Sequence, residues 1–214
     1  MTEITTEAAT IPDAIGYGFA EMVTLASLQR GDASVHSAEA LRVDGYLNNT
    51  DMVSAGASSL VARGLAKAEN DGLLSVSGPT AAVAALLSSA IRRIEISLLT
   101  AEGGDSVVFM ENDDIHLLFQ PRAYFTWWAM AQRPDVTGAE ANLMVIKQHL
   151  ESNPEGGATI RRREDPTGQT LYVKKGGHGT WTTGTADPRQ ENIAETKDVN
   201  EAFLLDQIRA IRKD

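Results

Sequence analysis

Residues 57–119 read ASSLVARGLAKAENDGLLSVSGPTAAVAALLSSAIRRIEISLLTAEGGDSVVFMENDDIHLLF, and this stretch decides the fold class. Leu60, Val61, Gly64 and Leu65 recur at helical spacing, with Gly64 close to where the helix should stop. Asn70-Asp71-Gly72 is a turn signal, because Gly72 takes positive φ at no steric cost. A short apolar run leads to Gly78-Pro79, which opens a second helix with Pro in its first turn. That helix carries Val83, Leu86, Leu87 and Ile91. Strict alternation follows: Ile94, Ile96 and Leu98 lie on one face against Arg93, Glu95 and Ser97 on the other, the mark of a half-buried strand. Helix, tight turn, helix and hairpin make one half of a compact α+β domain. The stretch contains no catalytic motif.

Working outward, residues 1–12 are rich in Thr and Glu without period and read as a flexible tail. Residues 13–214 read as a single α+β domain with halves at about 13–132 and 133–214, each a set of helices with a hairpin. The spacing predicts helices near 14–30, 37–47, 54–66, 79–91, 122–132, 137–151 and 199–212. Asp13 is placed to cap the first of them and Gly31 to stop it. Strands are predicted near 93–99, 106–110, 115–119, 158–163, 170–174 and 180–183, in a central, mainly antiparallel sheet flanked by helices. Thr137 with Glu140 three places on is a capping box. Residues 184–197 are polar and read as a long loop.

Composition narrows the function classes. The 214 residues are 43% apolar, ordinary for a globular chain able to bury a core. No apolar run approaches the roughly 20 residues of a membrane span. MTEITTEAATIPDA has neither a basic n-region nor an apolar h-region, so a cytoplasmic protein is expected. With no cysteine, disulfides, thiolate metal sites and cysteine nucleophiles are excluded. The net charge of −10 is unevenly spread. Residues 1–120 hold 16 acidic and 6 basic side chains, whereas residues 121–214 hold 13 of each. Such a half is first of all well solvated, and it repels phosphate backbones.

The chemical motifs are weak. Gly176-Gly177-His178-Gly179 lacks the Lys-Ser/Thr ending of a P-loop and reads as a loop between strands. His36, His116, His149 and His178 stand at no metal-ligand spacing, so no metal or cofactor is expected. Asp113-Asp114 beside Glu111 suits a hairpin tip better than a carboxylate pair. No Gly-x-Ser-x-Gly elbow occurs. Arg161-Arg162-Arg163, with Lys174 and Lys175 on the expected partner strand, is a basic cluster whose functional reading is nucleic-acid contact. Because Arg161 and Arg163 share one strand face and Arg162 the other, it reads rather as a charged, solvated sheet edge, and alternatively as a dock for the acidic half or an acidic partner. The segment after Gln120 gathers Arg122, Tyr124, Phe125, Trp127 and Trp128. On the expected helix the two tryptophans diverge by about 100°, so one of them reaches a boundary. Arg122, Tyr124, Trp127 and Trp128 are hot-spot residue types and form the candidate protein-binding set, against the alternative that they are simply core.

Two function classes follow. Leu41–Leu47, Ala55–Leu65 and the Gly72–Ser77 hairpin resemble a winged-helix regulator. Between His36 and Thr80, however, five acids outnumber the three bases Arg42, Arg63 and Lys67, a poor complement for DNA, and nucleic acid is not the expected partner. Residues 57–119 as a whole are similar to the EspG family of actinobacterial type VII (ESX) secretion-associated proteins. The likeness lies in the ARGL segment, the acidic-Gly turn, the Ala/Leu-rich helix, and the alternating strand that opens on paired arginines and runs into a Gly-containing hairpin. The resemblance implies an α+β fold of two related halves and a non-enzymatic, cytosolic, chaperone-like adaptor that binds secreted helical proteins. The chain departs from the family by being short and by having no motif that matches substrate contact, so no binding residue is carried over. A protein with a small-molecule site is a further alternative.

Overall fold

The computed structural model describes residues 14–29, 31–187 and 193–214. The tail at 1–12 and the capping role of Asp13 lie outside the described residues. The first half runs β1 (Ala14–Tyr17), α1 (Phe19–Ser27), α2 (Asp32–Ala40), α3 (Thr50–Ala62), β2 (Ala66–Ala68), β3 (Leu74–Val76), α4 (Gly78–Ser89), β4 (Arg92–Leu99), β5 (Gly104–Glu111), β6 (His116–Arg122) and β7 (Thr126–Ala131). The second runs α5 (Gly138–Ser152), β8 (Gly157–Arg162), β9 (Thr170–Lys175), β10 (Trp181–Ala186), β11 (Ala194–Val199) and α6 (Glu201–Arg212). Nine strands form one sheet in the order β1-β7-β6-β5-β4-β8-β9-β10-β11, while β2 and β3 make a separate small hairpin. All of these pairings are antiparallel, so the α+β reading with an antiparallel sheet holds.

The helices divide between the two faces of this sheet. Tyr17, Leu60, Leu87, Met110, Phe119 and Trp127 belong to one core, where α1–α4 cover the β1-β7-β6-β5 end. Ile94, Ile96, Phe109, Ile146, Ile160 and Ile208 belong to a second core, where α5 and α6 cover the opposite face toward β10. Strand β5 serves both, because successive side chains point to opposite faces: Val108 and Met110 enter the first core, Val107 and Phe109 the second. Several local signals act as their chemistry requires. Thr137 accepts from the Glu140 backbone N–H at 3.3 Å, and Glu140 accepts from the Thr137 N–H at 2.8 Å. Asn49 and Asn200 cap α3 and α6 without the reciprocal bond, their side chains accepting from the Met52 and Phe203 backbone N–H groups.

Four expectations are corrected. The helix expected over 14–30 is a strand followed by a helix: Ala14–Tyr17 pairs with Trp127–Met130, and helix begins only after Gly18. The helix expected over 37–47 lies earlier, at Asp32–Ala40, and Arg42 with φ of 59° turns the chain left-handed just after it. The segment 122–132 is not a helix but a turn and strand β7, because its backbone is taken up by β6 on one side and β1 on the other. The supposed loop at 184–197 contains β11, a polar strand paired with β10 at the sheet's edge.

The arginine triplet is not at an edge either, since β8 lies between β4 and β9. Arg161 and Arg163 share a face and bind Glu95 of the acidic half, at 2.6 and 3.0 Å. Arg162 points the other way and donates to the Arg212 carbonyl. Lys174 and Lys175 stand at the far end of the β8–β9 hairpin, where Val173 faces Ala158, so the basic cluster is dispersed by the register. Gly176–Gly179 does join two strands, through a 3-10 turn. Asp113 and Asp114 do sit at the tip between β5 and β6.

Candidate protein-binding site

The aromatic segment becomes the β6–β7 hairpin, with Arg122 opposite Thr126 and Pro121 opposite Trp127. Between the strands, Ala123–Phe125 makes one 3-10 turn, closed by the Thr126 hydroxyl donating to the Ala123 carbonyl at 2.9 Å. Tyr124 and Phe125 have φ of 60° and 57°, the left-handed region that non-glycine residues enter at a cost of about 1–3 kcal/mol. The turn holds both rings out: Tyr124 is 94% and Phe125 77% exposed. Strand alternation then sends Trp127 into the first core and Trp128 to the opposite face. A boundary position for one tryptophan is therefore observed, though produced by a strand rather than a helix. Trp128 packs against Gly16, where an added Cβ would stand 3.4 Å from the indole.

Beneath the turn is a cavity of about 310 Å³. Its aromatic walls are Phe19, Tyr46, Phe125 and Trp127. Phe19 meets Tyr46 edge-on at 5.0 Å between centroids, and Phe125 at 6.0 Å. Arg42 and Arg122 also line it. Arg122 donates to the Gln120 side-chain oxygen at 2.9 Å, and Arg42 lies 3.9 Å from Glu95. Burial alone would raise the Glu95 carboxyl. The hydrogen bonds and charges of Arg161 and Arg163 outweigh it and hold the group below the usual carboxylate range.

Of the four candidate residues, Arg122 and Trp127 line the cavity, Tyr124 stands beside it at the tip, and Trp128 faces away. The sequence reading missed Phe19, Arg42 and Tyr46 as members. Tyr46 sits in a 3-10 turn (Asp44–Tyr46) and Phe19 at the start of α1, so neither carries a local pattern that points to the hairpin. Among the described residues no group of three or more His, Cys, Asp or Glu side chains is placed to hold a metal ion. Among them, too, no helix is long and apolar enough to cross a membrane.

No family model matches the sequence, and no curated protein matches it. Among solved structures, the fold is similar to the type VII secretion system chaperone EspG5 of Mycobacterium tuberculosis, in complex with a PE25-PPE41 dimer. The superposition has a TM-score of 0.60 at 10% sequence identity and covers 92% of this chain and 95% of that one. The chain has an EspG-like fold. The resemblance read from residues 57–119 thus extends over nearly the whole chain. The expected shortness does not hold against this neighbour, whose own chain is almost fully covered. At this identity the likeness is one of backbone architecture, and the cavity and its arginines are features of this sequence.

Proposed function

We propose that this chain is a non-enzymatic protein-binding adaptor, a cytoplasmic chaperone of a type VII secretion system whose partner is a secreted helical protein. The observation that carries the reading is the pair Tyr124 and Phe125, held out on left-handed backbone above an aromatic cavity. Two adjacent exposed rings beside an apolar cavity make an anchor-and-pocket surface of the kind that protein interfaces use. The EspG-like fold supports a protein as partner, since EspG5 is seen with a protein dimer. A DNA role is disfavoured by α3, which has no Lys or Arg in Thr50–Ala62 and carries Asp51 in its first turn. Arg63, just beyond it, is bound to Glu21 at 2.6 Å. Catalysis is disfavoured by the cavity lining, which pairs no nucleophile with a base.

The test is the double variant Tyr124→Ala, Phe125→Ala. Affinity capture from the native cell, with mass spectrometry, identifies the partner, and calorimetry then compares the two proteins. Because both rings are exposed, folding stability should change by less than about 1 kcal/mol. Partner affinity should fall by about 2 kcal/mol or more. Undiminished affinity in a folded variant would remove the hairpin from the interface.

A further inference from the structure

The cavity is aromatic on its walls and cationic at its mouth. Its lining contains Arg42 and Arg122 but no Asp or Glu, although the chain as a whole carries a net charge of −10. Neither guanidinium is committed to a close carboxylate. Arg122 has the neutral Gln120 amide as its partner, and no ion pair among the described residues. Arg42 keeps 73% of its side chain exposed, and its nearest carboxylate, Glu95, is already taken by Arg161 and Arg163. The backbone around the mouth is also fixed in advance. Of the six non-glycine residues with positive φ among the described ones, Arg42, Tyr124 and Phe125 all stand here. Conformational cost met during folding is not charged again on binding.

Resting on the adaptor reading, we infer that this cup recognises a protein segment presenting one large apolar side chain beside a carboxylate. The apolar group enters between Phe19, Phe125 and Trp127, and the carboxylate meets Arg42 and Arg122 at the mouth. The volume suits this division. About 310 Å³ is at the small end of ligand pockets, which run about 300–1,000 Å³, so it takes a side-chain anchor rather than a helix. Charge makes the choice selective. At this mouth a lysine beside the anchor would meet two arginines, whereas a glutamate would satisfy them.

The probe is an acetylated, amidated alanine-based peptide of about 15 residues, long enough for partial helix, carrying Leu-Phe with two glutamates one turn away. Its control has glutamine in place of both glutamates. Binding is read by fluorescence anisotropy of the labelled peptides. The glutamate probe should bind about tenfold tighter or more at low salt. Arg42→Gln and Arg122→Gln should each narrow that difference, and the double variant should erase it, by weakening the glutamate probe more than the glutamine probe. Added salt should narrow it. Equal affinities for the two probes, or no binding of either, would overturn the inference. Phe125→Ala keeps the two proposals apart. If the native partner needs Phe125 while the probes bind alike, the adaptor reading stands and the carboxylate preference falls. If the glutamate probe is preferred through the arginines while the native partner ignores Phe125, the cup is a peptide site and the adaptor reading of it fails.

Discussion

Replacing Gly56 by alanine tests the packing on which the first core rests. Gly56 lies where α3 crosses α1, and a Cβ built on it would stand 2.0 Å from the Ala20 carbonyl oxygen and 2.2 Å from the Thr24 hydroxyl. The first obstacle is backbone, so no rotamer change relieves it, and the helices must part by more than an ångström. Overpacking of this kind costs about 1–3 kcal/mol. The shift also strains the Thr24 hydroxyl, which donates to the Val53 carbonyl at 2.8 Å across the two helices, worth about 1 kcal/mol. Against these stands the gain of about 1 kcal/mol from alanine in a helix interior. The net is a loss of about 2 kcal/mol, which for a chain of this size lowers Tm by about 4–8 °C. Thermal melts followed by circular dichroism measure it, with Gly45→Ala as control because nothing lies within 4 Å of a Cβ there. The control should stay within about 0.5 kcal/mol of wild type. A Gly56→Ala protein that melts at or above wild type would refute the close crossing.

The two neighbouring tryptophans should behave differently in urea denaturation. Trp127→Ala should cost about 3–5 kcal/mol, while Trp128→Ala, at a position 42% exposed, should cost less than about 2 kcal/mol; equal losses would contradict the strand. Acid should weaken the C-terminal clasp around Glu111. Burial would raise this carboxyl, but the charge and hydrogen bonds of Arg212, with those of Arg92, hold it below the usual range. Its contribution is therefore complete above the unfolded value of about 4.3 and is lost as pH falls through the lower folded value. The wild-type urea midpoint should drop below about pH 4, and Glu111→Gln should be weaker at neutral pH with a shallower acid limb. Parallel pH profiles for the two proteins would show that the clasp adds nothing.

Much of the architecture was legible because its signals are local. The alternation from Arg93 to Leu98 survives as β4 because the two faces of that strand meet different surroundings: Ile94 and Ile96 meet α5 and α6, while Arg93 reaches Ser37 on α2. The turn at Asn70–Gly72, the Thr137–Glu140 box and the glycine loop at 176–179 each depend on residues within four positions of one another. The candidate site was legible only in composition. Arg122, Tyr124 and Trp127 were picked out by type, but a short apolar run such as Trp127-Trp128-Ala129 reads alike as helix or strand. Its hydrogen-bond partners, Gly16 on one side and Gln120 on the other, decide the matter, and neither choice is written in the run itself. The same holds for β1 and β11, whose residues gain strand geometry from a neighbour rather than from their own pattern. The cup needs Phe19, Arg42 and Tyr46 beside a hairpin roughly eighty to a hundred residues away in the chain, a closure that only the packed helices of the first core enforce. Periodicity and capping, being local, determined which segments bury which face. Long-range pairing, driven by the backbone's need for hydrogen-bond partners, decided which aromatic rings stand together at the surface.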